Sequence, residues 1–373
     1  MGTNGTARRT PSRVPVLALS ALVVLVAAAL VLTWLWWLTR VDGLTRILWA
    51  VVGLVVVWGL LPRPGRLDEP GEEPGGDRAP ALHRLVGTVA AAVGAAAPRR
   101  VLVGTGPRVR VVPVGYTGRT VLVVGLPHWT TLTPDERVAV LAHELACAQP
   151  RRRATGVLVR LADDLLVSAI SVLAPVQNPL DPTTSDGLDL QLSTHGAGST
   201  VMEGRIGRGV ARGVGNAGLA VLVLPARLVH RLHGRLWRPV LHADALAADR
   251  EAARVAGTEA VRGMLFSGAG VPWGRSAAGN AVRLGGDPVR AYLEAERPPP
   301  AELARRVAEA PDASVDALHP STARRLADLA GGPPAGVPGG PDRGSDRAAA
   351  AEVAALHDAL RPQLVDDLRS GRL

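Results

Sequence analysis

His143, Glu144 and Cys147 are the residues of this chain best suited by type and spacing to do chemistry. Residues four apart lie on one face of an α-helix, so His143 and Cys147 can aim an imidazole and a thiolate at a single Zn²⁺. Glu144 is a carboxylate of the kind that takes a proton from a metal-bound water. The stretch His143-Glu144-Leu145-Ala146-Cys147 therefore reads as the zinc-hydrolysis pattern H-E-x-x-H with its last histidine replaced by cysteine. A thiolate is a good zinc ligand, but its sulfur lies closer to the backbone than an imidazole nitrogen. The ion, and the geometry for Glu144, would have to shift toward the helix. The competing reading is that Cys147 is simply a small buried side chain.

The element that must carry these residues is legible. Thr133-Pro134-Asp135-Glu136 predicts a helix start, with Thr133 as N-cap, Pro134 in the first helical position and Glu136 closing a capping box. Val138, Leu141, Leu145 and Ala148 follow at helical spacing, and Gln149-Pro150 predicts the end. Before it, residues 81–97 read as a helix, and the β-branched runs 100–103, 109–114 and 120–124 predict two or three short strands.

Composition narrows the function classes. All 42 basic residues are arginine, and the net charge is +9, yet aromatic residues make up only 3%. Without stacking platforms, and with its arginines dispersed apart from clusters at 151–153 and at Arg205, Arg208 and Arg212, the chain is not expected to bind nucleic acid. An anionic membrane surface or a solvated face accounts for the charge more simply. One cysteine excludes an intrachain disulfide framework and fits a reducing compartment.

Residues 14–38 carry no charge and are long enough to cross a bilayer, and 44–61 are nearly as apolar, broken only by Arg46. Trp34, Trp36, Trp37 and Trp49 gather around the turn between the two, as an interfacial aromatic belt would. The expectation is a two-helix membrane hairpin, a multi-pass protein of the cell membrane with the lipid bilayer as a partner. Arg8, Arg9, Arg13, Arg63 and Arg66 flank it against Arg40 and Arg46 in the turn, which predicts cytoplasmic flanks and a cytoplasmic soluble domain.

The domain division expected is 1–62 for the tail and hairpin, 63–80 for a Pro, Gly and acidic linker, and 81–330 for the main domain. A flexible linker at 331–347 and an amphipathic C-terminal helix at 348–373 complete it. Residues 156–176 are apolar but hold Arg160, Asp163 and Asp164, so they read as a buried amphipathic helix in preference to a third span. Residues 178–218 read as an insertion whose glycines lack the Gly-Lys-Ser/Thr ending of a phosphate loop, and 219–256 as helix with a break near Pro239.

The order of these features resembles the HtpX-like and CAAX-prenyl-protease-like membrane zinc metallopeptidases, a gluzincin family. The likeness runs over roughly residues 14–330: the hairpin, the short strands, Leu132-Thr133-Pro134-Asp135-Glu136 leading into Leu141-Ala142-His143-Glu144-Leu145, then Ala248-Asp249 with Ala252 and Ala253, and finally His319-Pro320-Ser321 with Arg324 and Arg325. It implies an α+β, mostly α, metallopeptidase-like domain with a small sheet, a Zn²⁺ cofactor, and hydrolysis of membrane or membrane-proximal polypeptides. It also implies Glu144 as general base and Asp249 as the aspartate that supports a ligand from behind. The family's third ligand, a glutamate four residues before that aspartate, is Ala245 here. A cage of His143, Cys147 and either His242 or Asp249 is one outcome, since both lie on the helical face of position 245. A pseudopeptidase that binds polypeptides or scaffolds a membrane-protein partner without cutting is another, and a purely structural membrane protein in which only the fold is inherited is a third.

Overall fold

The structure, a computed structural model, describes residues 11–60, 71–114, 119–173, 215–270, 272–309, 311, 319–331 and 343–369. It is mostly helical with one small mixed sheet, and its contacts divide it into two compact units.

The first unit holds α1 (Val14–Leu38), α2 (Gly43–Leu60), most of α6 (Pro150–Leu173) and α7 (Gly215–Ala256) as far as Ala243. α1 is long and apolar enough to cross a membrane, and most of its large apolar side chains are exposed; α2 is apolar but shorter. The two pack together, with the Trp34 Nε1–H donating to Trp49 O at 3.2 Å. Gly53 makes room for that ring: a Cβ there would stand 2.0 Å from Trp34 Cε2. α1 buries only Val16 and Ser20, the former in an apolar cluster with Val159, Trp237 and Val240. The break expected near Pro239 does not occur, for α7 is helical through both Pro225 and Pro239. Each proline forgoes one backbone hydrogen bond. Burial of Trp237 and Val240 beside Pro239 favours keeping the helical course.

The second unit contains the sheet, in the order β1-β2-β4-β3, from β1 (Gly71–Glu72), β2 (Arg100–Gly104), β3 (Arg110–Val114) and β4 (Arg119–Gly125). β2 and β4 are parallel, with Val101 opposite Leu122, and β3 is antiparallel to β4, with Val111 opposite Leu122. Valines and leucines fill both faces of β2 and β4, as central strands require. The linker expected at 63–80 is partly ordered: Gly71 and Glu72 pair with Gly104 and Val103, and His83 Nε2 lies 3.0 Å from Pro74 O. Residues 61–70 lie outside the described residues, as do 174–214, which include nearly all of the expected insertion.

Against the sheet pack α3 (Pro80–Ala92), α4 (Leu126–Thr131), α5 (Pro134–Cys147), the end of α7, and α8 (Thr258–Gly270), around a core that includes Leu82, Leu85, Leu122, Trp129, Leu141 and Leu145. There follow α9 (Pro272–Arg283), α10 (Pro288–Leu293), α11 (Pro300–Glu309) and α12 (Thr322–Ala330). In place of one C-terminal helix from residue 348 there are two, α13 (Arg343–Ala355) and α14 (His357–Arg369), and they belong to this core through Ala349, Val353 and Leu360. Glu352 of α13 accepts from Ala81 N at 2.9 Å and Leu82 N at 2.8 Å. It thus satisfies two of the orphan donors at the start of α3.

Candidate functional site

α5 begins as its sequence requires. Glu136 N donates to the Thr133 hydroxyl at 3.4 Å, Thr133 N donates back to Glu136 Oε2 at 2.9 Å, and Pro134 fills the first turn. Glu136 also receives both guanidinium nitrogens of Arg297 at 2.8 Å. α8 approaches so closely that a Cβ on Gly263 would lie 2.0 Å from Glu136 Oε1. α5 is thereby fixed at its start, and its apolar face buries Val138, Leu141 and Leu145. His143 lies on the same buried helix, one turn before Cys147.

Two further elements bring partners to His143. Asp249, on the last turns of α7, is fully buried, and His143 Nδ1 lies 2.8 Å from its Oδ1. α12, capped by Ser321, presents Arg325, whose Nε and Nη2 donate to Asp249 Oδ2 and Oδ1 at 2.8 and 2.6 Å. A second pair of the opposite sense, Arg250 to Asp328 at 2.8 and 2.9 Å, joins the same two helices. The Arg325 Nη2 stands 3.4 Å from both ring nitrogens of His143. The His319 ring lies tilted beside that of His143, centroids 5.8 Å apart.

The electrostatics follow from this packing. Burial alone would raise the Asp249 carboxyl, but the guanidinium of Arg325 and the ring of His143 outweigh it and hold the group well below the usual carboxylate range. Burial likewise opposes the charge on Arg325, and Asp249, with smaller help from Cys147 and Glu144, keeps it firmly protonated. With the Nδ1–H of His143 given to Asp249, its Nε2 faces Cys147 Sγ at 3.8 Å.

Glu144, close enough to add to the charge on Arg325, is half-buried, with its Oε2 accepting the backbone N–H of Val111 on β3 at 3.1 Å. β3 is an edge strand, and Pro113 within it has no N–H to give β4, so its nitrogen side belongs to the open edge. Val111 shares that side by the two-residue period of a strand. Of the two outward positions, one donor is taken by Glu144 and the other does not exist. An added strand would find only carbonyl acceptors there.

These residues do not fit a zinc ion. A permanent cation already lies against the His143 ring, Asp249 is engaged by that cation, and position 245 offers a buried alanine methyl. Among the described residues no group of three or more His, Cys, Asp or Glu side chains is placed to hold a metal. Of the expected ligands, His143, Cys147 and Asp249 lie in the second unit, while His242 packs with the first. Cys147 is half-buried against the apolar core. Sequence reasoning named Arg325 only as part of the late His-Pro segment and missed the Glu144 clamp. The signal for the clamp was a proline inside a strand. Comparison with protein families, curated proteins and solved structures gives no match, so the likeness to a zinc-peptidase site rests on the residues and their order alone.

Proposed function

We propose that the chain is a membrane-anchored, non-hydrolytic counterpart of the HtpX-like zinc metallopeptidases that acts by binding membrane polypeptides. The observation that carries this reading is the position of Arg325. Its guanidinium supplies, beside His143 and Asp249, the positive charge that a metal ion would supply in a hydrolytic site. A guanidinium neither polarises a bound water as a Lewis acid nor lowers its pKa toward neutrality, so the step that Glu144 would serve has no nucleophile. The engagement of Glu144 by Val111 N supports the same conclusion.

In this reading α1 and α2 anchor the protein in the cell membrane and the second unit faces the cytoplasm, on the side of the flanking arginines. Polypeptide partners are read from the membrane setting and the retained peptidase-like arrangement, not from a bound chain. The test is chemical cross-linking in intact membranes, comparing the parent with Glu144→Gln and with chelator-treated samples. The expected result is one set of captured polypeptides, unchanged in all three. Uncut polypeptides accumulating on Glu144→Gln, or fragments that vanish on chelation, would contradict the proposal and restore the hydrolytic reading.

A further inference from the structure

Within the first unit a second buried polar cluster draws on three helices. Ser20 of α1, Asp163 of α6 and His233 of α7 are 0%, 4% and 1% exposed. The Ser20 hydroxyl donates to Val16 O at 2.7 Å, and His233 Nε2 lies 3.0 Å from its oxygen. On the far side of the ring, His233 Nδ1 faces Asp163 Oδ1 at 3.6 Å, and His230 Nε2 faces that same oxygen at 3.2 Å. None of these three facing atoms has a hydrogen bond of good geometry.

The hydrogen positions can be counted. A hydroxyl has one hydrogen, and that of Ser20 is committed to Val16 O, so the contact with His233 needs its hydrogen on Nε2. A neutral imidazole has only that one. Its Nδ1 lone pair would then point at the Asp163 carboxylate in a place from which water is excluded. A second proton, on Nδ1, converts the repulsion into an imidazolium–carboxylate pair. Among the described residues the other group placed to share that charge is His230, which faces the same oxygen, for α1 has no ionisable side chain, Arg160 and Asp164 on α6 offset one another, and Arg227 and Arg231 of α7 are half-buried and exposed.

We propose that Ser20, Asp163, His230 and His233 form a proton-binding site that clasps α1 to α6 and α7. Its place along the helices follows from their register. Val16 packs with Trp237 and Val240, while Ser20 meets His233, so α1 and α7 run antiparallel. From Val14 to Ser20 the helix rises about 9 Å. The site therefore lies well inside the apolar length of α1. The clasp is closed while the proton is bound and is lost as pH rises and the proton leaves.

The test uses the full chain in phosphatidylcholine nanodiscs, with Cys147→Ser and spin labels on cysteines replacing the exposed Leu22 and Leu232. Pulsed spin–spin distances are recorded at about pH 5 and about pH 9, a span that covers imidazole titration. One narrow distance is expected at the lower pH and a broadened or longer distribution at the higher. With His230→Gln and His233→Gln together, whose amides can donate but cannot gain a proton, the distribution should no longer depend on pH. Identical distributions in the His233 chain at both pH values would overturn the proposal without recourse to any clasp variant. So would a His230→Gln, His233→Gln chain that responds as strongly as its parent.

Discussion

Asp249 in the second unit and Asp163 in the first are both carboxylates removed from water, and each is met by a different kind of cation. Asp249 has a guanidinium, which stays charged at every physiological pH, together with one ring nitrogen of His143. Asp163 has two imidazoles, which carry charge only when protonated. The same cost of burying a negative charge is thus offset permanently in one place and conditionally in the other. Permanence suits a site that holds three elements in fixed order. Conditional charge suits a joint between helices. The comparison also separates the two by mechanism: the site that looks catalytic in sequence is electrostatically locked, and the one with no motif is the one that can respond.

The largest effect expected from breaking this contrast is at Arg325. Arg325→Ala leaves Asp249 buried without its main counter-charge and should cost about 3–5 kcal/mol of stability, read by denaturant unfolding in detergent. Arg325→Met combined with Asp249→Asn should recover most of that loss, because both charges leave together. Equal losses in the single and double variants would break the account of a compensated pair.

The pH response comes next, and its two signs differ. Burial lowers His128 of α4 to about 4, with Arg108 pushing the same way, so the folded state keeps it neutral while the unfolded state takes a proton below about pH 6.5. The folded state then binds fewer protons, and stability of the second unit should fall as pH drops from about 6.5 toward 4, by a few kcal/mol at most. His128→Phe should flatten that slope. Asp249 acts in the same direction at the acid end of this window, because its depressed carboxyl stays ionised in the folded state while the unfolded aspartate begins to take up a proton below about pH 5. The clasp on Asp163 moves the other way, weakening as pH rises.

Smaller still is the effect at Gly263, where an added methyl must displace Glu136 from its bonds to Arg297. Gly263→Ala should destabilise by about 1–3 kcal/mol, measured by thermal unfolding. Least of all is Glu144→Gln. The amide oxygen can still accept from Val111 N, so stability should change by less than about 1 kcal/mol. Glu144→Ala, which removes the acceptor, should increase hydrogen exchange at Val111.

Much of the scaffold was legible in the sequence because its signals are local. The capping box at Thr133 and Glu136, the β-branched runs of β2 to β4, and the uncharged length of α1 each declare themselves within a few residues. What was not legible is what distant segments do to one another. Nothing near Arg325 says that it will meet Asp249 and the ring of His143 across 76 and 182 residues of chain. Nothing near Ser20 announces His233, 213 residues away. The helical course through Pro239 is likewise decided by packing that local propensity does not contain. Spacing shows that His143, Glu144 and Cys147 share a helix but not that Glu144 accepts a backbone N–H from a strand edge.

The most direct test of the central claim is the zinc content of the purified, detergent-solubilised full chain after incubation with excess zinc at neutral pH and removal of unbound metal. The claim that Arg325 holds the place of the cation predicts no specifically bound zinc, in the parent and in His143→Ala and Cys147→Ala alike. Near-stoichiometric zinc in the parent that both substitutions abolish would contradict it, and would mean that the guanidinium yields to a metal on the same face of α5.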